Sequence, residues 1–137
     1  MTNRITVETT VEAPVEKVWI YWSEPKHVMN WCSASSDWHA PKAENDLCVN
    51  GKFKTHMAAK DGSVGFDFEG IYTSVIPHKN IEYKMADGRE VVINFTSNGK
   101  KTTITETFDA ENENPLEMQK GGWQAILDNF KKYTEAH

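Results

Sequence analysis

The chain offers few residues whose types and spacing suit catalysis. Asp37 with His39, and His56 with Glu69, each combine a carboxylate with an imidazole, the two groups that most often exchange protons in general acid–base chemistry. Exposed polar residues produce the same combinations without any reaction, and no nucleophile with an activating partner is recognisable. We therefore assign no catalytic residue, and the pattern favours a protein that binds over an enzyme.

Patterns for a covalent nucleophile or a metal site are equally weak. Ser23 and Lys26 match the SxxK pattern of one class of serine enzymes, but the companion motifs of that class are absent. Cys32 and Cys48 show no CxxC spacing, and the five histidines include no HExxH motif. Two free thiols are the simplest interpretation, so we predict neither a metal site nor another cofactor.

Aromatic residues carry the clearest functional signal. At strand and helix periods, the side chains that share inward faces are rich in rings and include two phenol hydroxyls. The predicted inward set is Phe53, Met57, Phe66, Phe68, Tyr72, Tyr83, Met85, Phe95, Trp123, Leu127 and Phe130. Small-molecule pockets are mostly apolar with a few placed polar groups, which this set matches. The same rings fill an ordinary core equally well, so a cavity and a packed core both remain open.

A second aromatic group precedes this set in the chain. Trp22, Trp31 and Trp38, with His39, fall in the region that would cover one end of the predicted sheet. An indole in a loop can close over an apolar guest, and an imidazole can donate to a carbonyl or carboxylate at the rim. These residues are predicted to form a pocket mouth, although Trp38 would equally serve to pin its loop to the core.

The elements that must position these residues begin with a strand and two short helices. Residues 5–11 alternate apolar and polar side chains, as in a strand with one buried face. Pro14 then opens a short helix with an apolar stripe, and Pro25 opens a second. Apart from Trp38 and His39, residues 33–45 are small, polar or prolyl, which predicts an irregular loop.

An antiparallel meander and a long helix follow. Strand-like runs separated by turn residues predict five more strands, so the whole sheet should have about six. Asn114 is predicted to cap a final helix that begins at Pro115, with Glu117 as the acidic arm of a capping box. At about 20 residues this helix spans about 30 Å and should cross the sheet. Gly121 and Gly122 inside it suggest a close approach or a kink.

Length and charge limit the remaining possibilities. The 137 residues predict one domain, 1–137, of the α+β class. A net charge of −5 with scattered lysines disfavours nucleic acid and anionic membrane as partners. No apolar run approaches the roughly 18 residues of a membrane span, and the N-terminus lacks a secretory pattern. We therefore expect a cytoplasmic protein.

The order of elements and several short motifs resemble a known family. The stretches that carry the likeness are Ala13, Pro14, Val18 and Trp19; Asp46, Leu47, Gly51, Lys52 and Phe53; Phe68, Glu69, Gly70 and Tyr72; residues 105–108; and Gly122, Trp123 and Leu127. They are similar to the family named after the activator of heat shock protein 90 ATPase, within the START-like, polyketide-cyclase-like superfamily. The resemblance implies a helix-grip fold, a curved sheet around the long C-terminal helix.

Three functions are compatible with these observations. The leading hypothesis is a binding module for a small, mostly hydrophobic molecule held between the sheet and the terminal helix. The family name suggests an alternative, a protein-interaction module that regulates a chaperone ATPase. A small enzyme of the cyclase or hydrolase type is the third, because the fold hosts several unrelated functions.

Overall fold

The computed structural model describes residues 3–33 and 35–137 and places a single curled sheet against three helices. The elements in chain order are β1 (Arg4–Val11), α1 (Val15–Ser23), α2 (Pro25–Trp31), β2 (Trp38–Asn45), β3 (Lys52–Ala59), β4 (Gly65–Ile76), β5 (Asn80–Met85), β6 (Glu90–Asn98), β7 (Lys101–Asp109) and α3 (Leu116–Ala136). All strand pairs are antiparallel, in the order β1-β7-β6-β5-β4-β3-β2. This confirms the predicted α+β helix-grip architecture.

The core lies on the concave face of the sheet. Because side chains alternate between the two faces of a strand, β7 turns Thr102, Ile104 and Phe108 inward, and all three are fully buried. Helix α3 contributes Leu127 and Phe130, which are also fully buried. Of the strands, β1 is the one that α3 approaches most closely.

The sheet has seven strands rather than about six, because the segment predicted as an irregular loop contains β2. This segment lacks β-branched residues and includes Pro41, which cannot donate a hydrogen bond to a neighbouring strand. The structure accommodates Pro41 because β2 is an edge strand and its register with β3 shifts between His39 and Lys42. The composition of this segment does not predict a strand, because an edge strand pairs on one side alone and tolerates residues that a central strand excludes.

A second irregularity changes which side chains of β4 face the core. An uninterrupted alternation along β4 would turn Ser74 and Ile76 inward after Tyr72, but the register with β5 shifts between Tyr72 and Ser74. Beyond this bulge the alternation reverses, so Val75 packs against the core and Ile76 is 51% exposed. The inward set of β4 thus ends at Tyr72.

Helix α3 has the predicted length but a different beginning. Pro115, not Asn114, occupies the N-cap position, and no side chain caps the helix. Gln119 instead folds back on the preceding loop, where its amide binds the backbone of Glu111 and Asn114. An added β-carbon at Gly121 or Gly122 would have no neighbour within 4 Å, so the expected close approach is absent at both positions.

Candidate functional site

A cavity of about 280 Å³ lies between the sheet and helices α2 and α3. Every strand except β1 contributes a side chain to its lining, and so do all three helices. Its volume lies just below the roughly 300–1,000 Å³ typical of small-molecule pockets. The space between the sheet and α3 is therefore not completely filled by protein, and the guest it could hold is small.

Two indoles close one end of the cavity. Trp22 of α1 and Trp31 of α2 lie 5.0 Å apart, and both meet the ring of Phe130 edge to face. The Trp31 indole donates a 2.9 Å hydrogen bond to the carbonyl of Tyr21, so its polar atom is satisfied inside the protein. Aromatic packing and one hydrogen bond therefore fix the two indoles at this end of the cavity.

Phe53 of β3 forms part of the cavity wall, and the position of its ring depends on Gly70. Gly70 pairs with Phe53 across β3 and β4, and a β-carbon on Gly70 would lie 2.9 Å from the Phe53 ring. The ring therefore occupies the space that a side chain at position 70 would need. In this place it packs edge to face against Tyr83 at 4.6 Å and lies 5.3 Å from the Tyr72 ring.

Helix α3 supplies the roof through Trp123. The indole stacks on Phe108 of β7, with centroids 3.9 Å apart and an interplanar angle of 11°. It meets Phe68 of β4 edge to face at 5.9 Å. These two contacts hold the indole across the cavity between α3 and the sheet.

A short polar chain crosses the wall near β2. The Tyr72 hydroxyl donates to the Asn45 side-chain oxygen at 2.6 Å, and the Asn45 amide donates to the Ser23 carbonyl at 2.6 Å. Burial raises the pKa of Tyr72, so the phenol stays protonated at neutral pH. The chain links α1, the edge strand β2 and β4.

Glu106 is the unusual member of the lining. It lies on the inward face of β7, opposite Ile93 of β6 and Val7 of β1, and is 6% exposed. Among the described residues, none donates a hydrogen bond to its carboxyl group. Burial raises the pKa of Glu106 to about 8, so the group is largely protonated at pH 7.

Two further titratable groups face the same interior. Burial raises the pKa of Tyr83 well above its usual value and that of the Cys32 thiol to about 12, and Glu106, which is ionised in the pH range where these groups titrate, adds to both shifts. Both groups are therefore neutral at pH 7. Nucleophilic cysteines need a depressed pKa, so Cys32 lacks the activation that covalent catalysis requires.

The rim of the cavity carries opposite charges. Glu111 and Arg89 line it, but the Arg89 guanidinium is already bonded to Asp87 at 2.7 Å. A neighbouring hollow of about 340 Å³ shares Phe66 and other residues with the cavity and opens past the first turns of α3. This end forms the mouth.

The predicted site residues lie in four places in the structure: the cavity lining, the neighbouring hollow, the packed core and an exposed position of β2. Nine of them line the cavity: Trp22, Trp31, Phe53, Met57, Phe66, Phe68, Tyr72, Tyr83 and Trp123. Phe66 does so from the mouth, where it is 49% exposed rather than inward as expected. Trp38 lies in the neighbouring hollow, 6.0 Å from Phe66. Met85, Phe95, Leu127 and Phe130 are packed in the core, and His39 is exposed in β2 and lines no part of the cavity.

Glu106 was missed by sequence reasoning, although a signal was present. The alternation that places Ile104 and Phe108 inward also places Glu106 inward. A glutamate at such a position is unusual because charged side chains are rarely buried without a partner.

Neither of the carboxylate–imidazole pairs considered from the sequence, Asp37 with His39 and His56 with Glu69, forms in the structure. His56 binds Asp67, its cross-strand neighbour, at 2.8 Å on exposed strand faces, while Glu69 lies opposite Lys54. Asp37 accepts a hydrogen bond from Ser35, not from His39. Within residues 3–33 and 35–137, no group of three or more potential ligands could hold a metal ion.

A larger hollow, of about 660 Å³, lies on the outer face of the sheet. Exposed side chains of β3, β4 and β5 supply most of its walls, including Lys54, Glu69 and Ile71. Its walls include no titratable side chain that is buried, in contrast to the interior cavity. We therefore place the candidate site inside, despite the smaller volume.

Of the helices that the structure describes, none is both long enough and apolar enough to span a bilayer.

Comparison with known proteins gives a consistent assignment. Residues 12–135 match the family described as activator of Hsp90 ATPase homolog 1-like protein. The solution structure of an AHSA1-like protein from Aeromonas hydrophila is 47% identical, with 98% of this chain and 93% of that chain covered and a TM-score of 0.92. The solution structure of Chr148 from Cytophaga hutchinsonii is 57% identical, with 97% of this chain and 92% of that chain covered and a TM-score of 0.84.

More distant structures share the fold alone. CV1439 from Chromobacterium violaceum is 21% identical, with 97% of each chain covered and a TM-score of 0.85. A comparison with curated proteins found no match. The comparisons therefore assign the family but not the function.

Proposed function

Because the chain belongs to the activator of Hsp90 ATPase homolog 1-like family, we propose from its cavity that it is a binding module for a small, mostly hydrophobic molecule. The observation that carries this proposal is the interior space of about 280 Å³, walled by aromatic rings and bordered by few polar groups. Packed cores rarely leave voids larger than a water molecule, so an empty space of this size needs a reason.

Two features of the lining favour reversible binding. The rings are already held in place by contacts that do not involve a guest, such as Trp123 stacked on Phe108 and Trp31 bonded to the Tyr21 carbonyl. A preformed site loses less conformational entropy when it binds. The buried thiol of Cys32 and phenol of Tyr83 are neutral, so neither provides an activated nucleophile.

A combined binding experiment tests the proposal. The purified protein is examined by native mass spectrometry for a co-purifying small molecule, and then titrated with N-phenyl-1-naphthylamine, a neutral apolar fluorophore. Thr55 is buried on the cavity wall, so Thr55→Phe should fill the space and abolish probe binding. Thr96→Phe, on the exposed outer face of β6, is the matched control and should bind like the wild type.

The outcomes separate a receptor from a packed domain. Saturable probe binding that Thr55→Phe abolishes and Thr96→Phe retains supports the proposal. Absence of both a co-purifying mass and saturable probe binding contradicts it. Thermal unfolding checks that Thr55→Phe is folded, and Ala43→Phe, also on the cavity wall, replaces it if it is not.

A second candidate is a protein-interaction module that regulates a chaperone ATPase. The observation that favours it is a group of exposed apolar side chains at the mouth end, with Phe66 at 49% and Met118 at 66% exposed. The test is the ATPase rate of the host's Hsp90-type chaperone with and without the protein. An effect lost in Phe66→Ser/Met118→Ser, but kept in Val49→Ser elsewhere on the surface, supports this role; no effect of the wild type removes it.

A further inference from the structure

The carboxyl group of Glu106 lies inside the cavity without a partner. It is buried on the inward face of β7, and none of the residues the structure describes donates a hydrogen bond to it. A buried polar group with no partner costs free energy, and a buried charge costs more. Folding alone thus gives no reason for a glutamate here, since Ile104 and Phe108 beside it on the same face are apolar.

The charges around the cavity favour a positively charged guest. Glu106 and Glu111 line it, whereas the side chain of Glu44 lies opposite Lys54 on the outer face of the sheet. Arg89, the one cationic side chain among the described residues of the lining, is bonded to Asp87. Within the described parts of the chain, neither a lysine nor a histidine lines the space. An anionic guest would therefore meet carboxyl groups with no free cation to offset them.

The aromatic walls suit the same kind of guest. The faces of Trp and Tyr rings attract ammonium groups, and the attraction grows where water is excluded. Trp22, Trp31 and Trp123 surround the cavity, and Phe53 and Tyr83 complete the wall nearer the sheet. Rings combined with a buried carboxyl group can accept the apolar body and the charged end of one molecule.

We propose that the guest of this cavity is a small organic amine with an aromatic or aliphatic body, whose ammonium group forms an ion pair with Glu106. This inference rests on the proposed binding function and specifies its ligand class. The ammonium supplies the hydrogen-bond donors that Glu106 lacks, while the hydrocarbon body replaces empty space against the rings. A primary amine of one or two rings matches the small volume.

Binding of an amine should release a proton from the protein. Burial raises the pKa of Glu106 to about 8, so the free site is mostly protonated at pH 7 and the bound ammonium would favour the carboxylate. The balance is Glu106–COOH plus R–NH₃⁺ giving the Glu106–COO⁻·⁺H₃N–R pair plus one H⁺ to solvent. The other titratable groups that face this interior are Tyr83, Cys32 and Tyr72, which stay neutral at pH 7, and Arg89 and Glu111 at the rim.

Three probes with one common body test the inference: 2-(1-naphthyl)ethylamine, 2-(1-naphthyl)ethanol and 1-naphthylacetate. Their affinities are measured by isothermal titration calorimetry at pH 7 in phosphate and in Tris, whose different ionisation enthalpies report proton release. The variant Glu106→Gln keeps size and hydrogen bonding but cannot ionise. Glu16→Gln makes the same change on the exposed side of α1 and serves as the control.

The expected result is selectivity for the amine that depends on Glu106. The wild type and Glu16→Gln should bind the amine roughly tenfold or more tightly than the alcohol, because hydrogen bonds to charged groups are the stronger ones. Glu106→Gln should lose that preference and the buffer-dependent enthalpy. Equal or tighter binding of the alcohol or the acid by the wild type overturns the amine assignment, even if the variant fails to fold.

Failure of this inference is distinguishable from failure of the proposed function. If N-phenyl-1-naphthylamine binds but the amine has no advantage over the alcohol, the cavity is a receptor and the amine assignment is wrong. If neither the fluorophore nor any naphthyl probe binds, the receptor itself is contradicted.

Discussion

Phe53 and Gly70 face each other across β3 and β4, and the Phe53 ring lies where a side chain on Gly70 would have to be. A β-carbon at position 70 would lie 2.9 Å from the ring and 3.0 Å from the Lys84 carbonyl oxygen. The backbone carbonyl cannot move freely, so the ring must give way. The wall of the cavity is thus set by the absence of one side chain.

Gly70→Ala should therefore destabilise the protein by about 1–3 kcal/mol, the usual cost of overpacking. Displacement of the Phe53 ring should also weaken binding of N-phenyl-1-naphthylamine. Urea unfolding and a probe titration measure the two effects. A variant as stable as the wild type, with unchanged affinity, would show that the ring adapts without consequence.

Gly121→Ala should stabilise the protein, in contrast to Gly70→Ala. Gly121 lies inside α3, and a β-carbon there would meet nothing within 4 Å. Alanine is favoured over glycine in a helix interior, so the free energy of unfolding should rise by about 0.5–1 kcal/mol. Urea unfolding measures this change. A lower free energy of unfolding in Gly121→Ala would contradict the open space beside Gly121.

Glu106 should make stability fall as pH rises. Its pKa is raised in the folded protein to about 8, while in the unfolded chain it is near 4.5, so the folded state holds the extra proton between these values. The contribution of Glu106 is complete below about pH 4.5 and lost progressively up to about pH 8. Glu106→Gln should be more stable than the wild type at pH 8, by on the order of a few kcal/mol.

Denaturant unfolding of both proteins at pH 5 and pH 8 measures this difference. Glu16→Gln, with an exposed side chain, should follow the wild type at both values. Equal pH dependence for Glu106→Gln and the wild type would show that the carboxyl group is ionised and solvated in the folded protein.

His27 should make stability change in the opposite direction. Its ring stacks on Tyr21 at 4.0 Å, and its Nδ1 atom lies 2.7 Å from the Tyr133 hydroxyl. Burial, aided by Lys26, lowers the pKa of His27 below 6.5, so the folded state resists protonation. The stability that this site contributes is complete above pH 6.5 and lost as pH falls through the folded pKa.

His27→Gln should therefore flatten the decline in stability between pH 7 and pH 5. Its free energy of unfolding is compared with that of the wild type across this range, and His39→Gln, on an exposed position of β2, is the control. A decline that is the same in wild type and His27→Gln would assign the effect to other groups.

Sequence patterns predicted the fold more fully than the site. The alternation of residues 5–11 and the stripe of Trp123, Leu127 and Phe130 define the sheet and the long helix, and both lie where expected. The strand that contains Pro41 was missed because its pairing depends on a bulge at the sheet edge. Such tertiary compensation leaves no local pattern.

The site was only partly predictable because its geometry depends on how far α3 lies from the strands. Aromatic spacing identifies rings that face inward, but Phe95 packs in the core while Phe53 lines the cavity. Both residues occupy equivalent inward positions on their strands. The position of α3 decides which of the inward rings borders empty space. The periodicity of a single strand does not predict the position of α3.

Methyl NMR of isoleucine side chains is the most direct test of a receptor cavity. Ile81, Ile93 and Ile126 line the interior, whereas Ile71 and Ile76 are exposed on the outer surface. Titration of δ1-methyl-labelled protein with N-phenyl-1-naphthylamine should shift the three interior methyl signals and leave the two outer ones in place. Shifts confined to the outer methyl groups, or no shifts at saturating probe, would contradict a ligand-binding cavity between the sheet and α3.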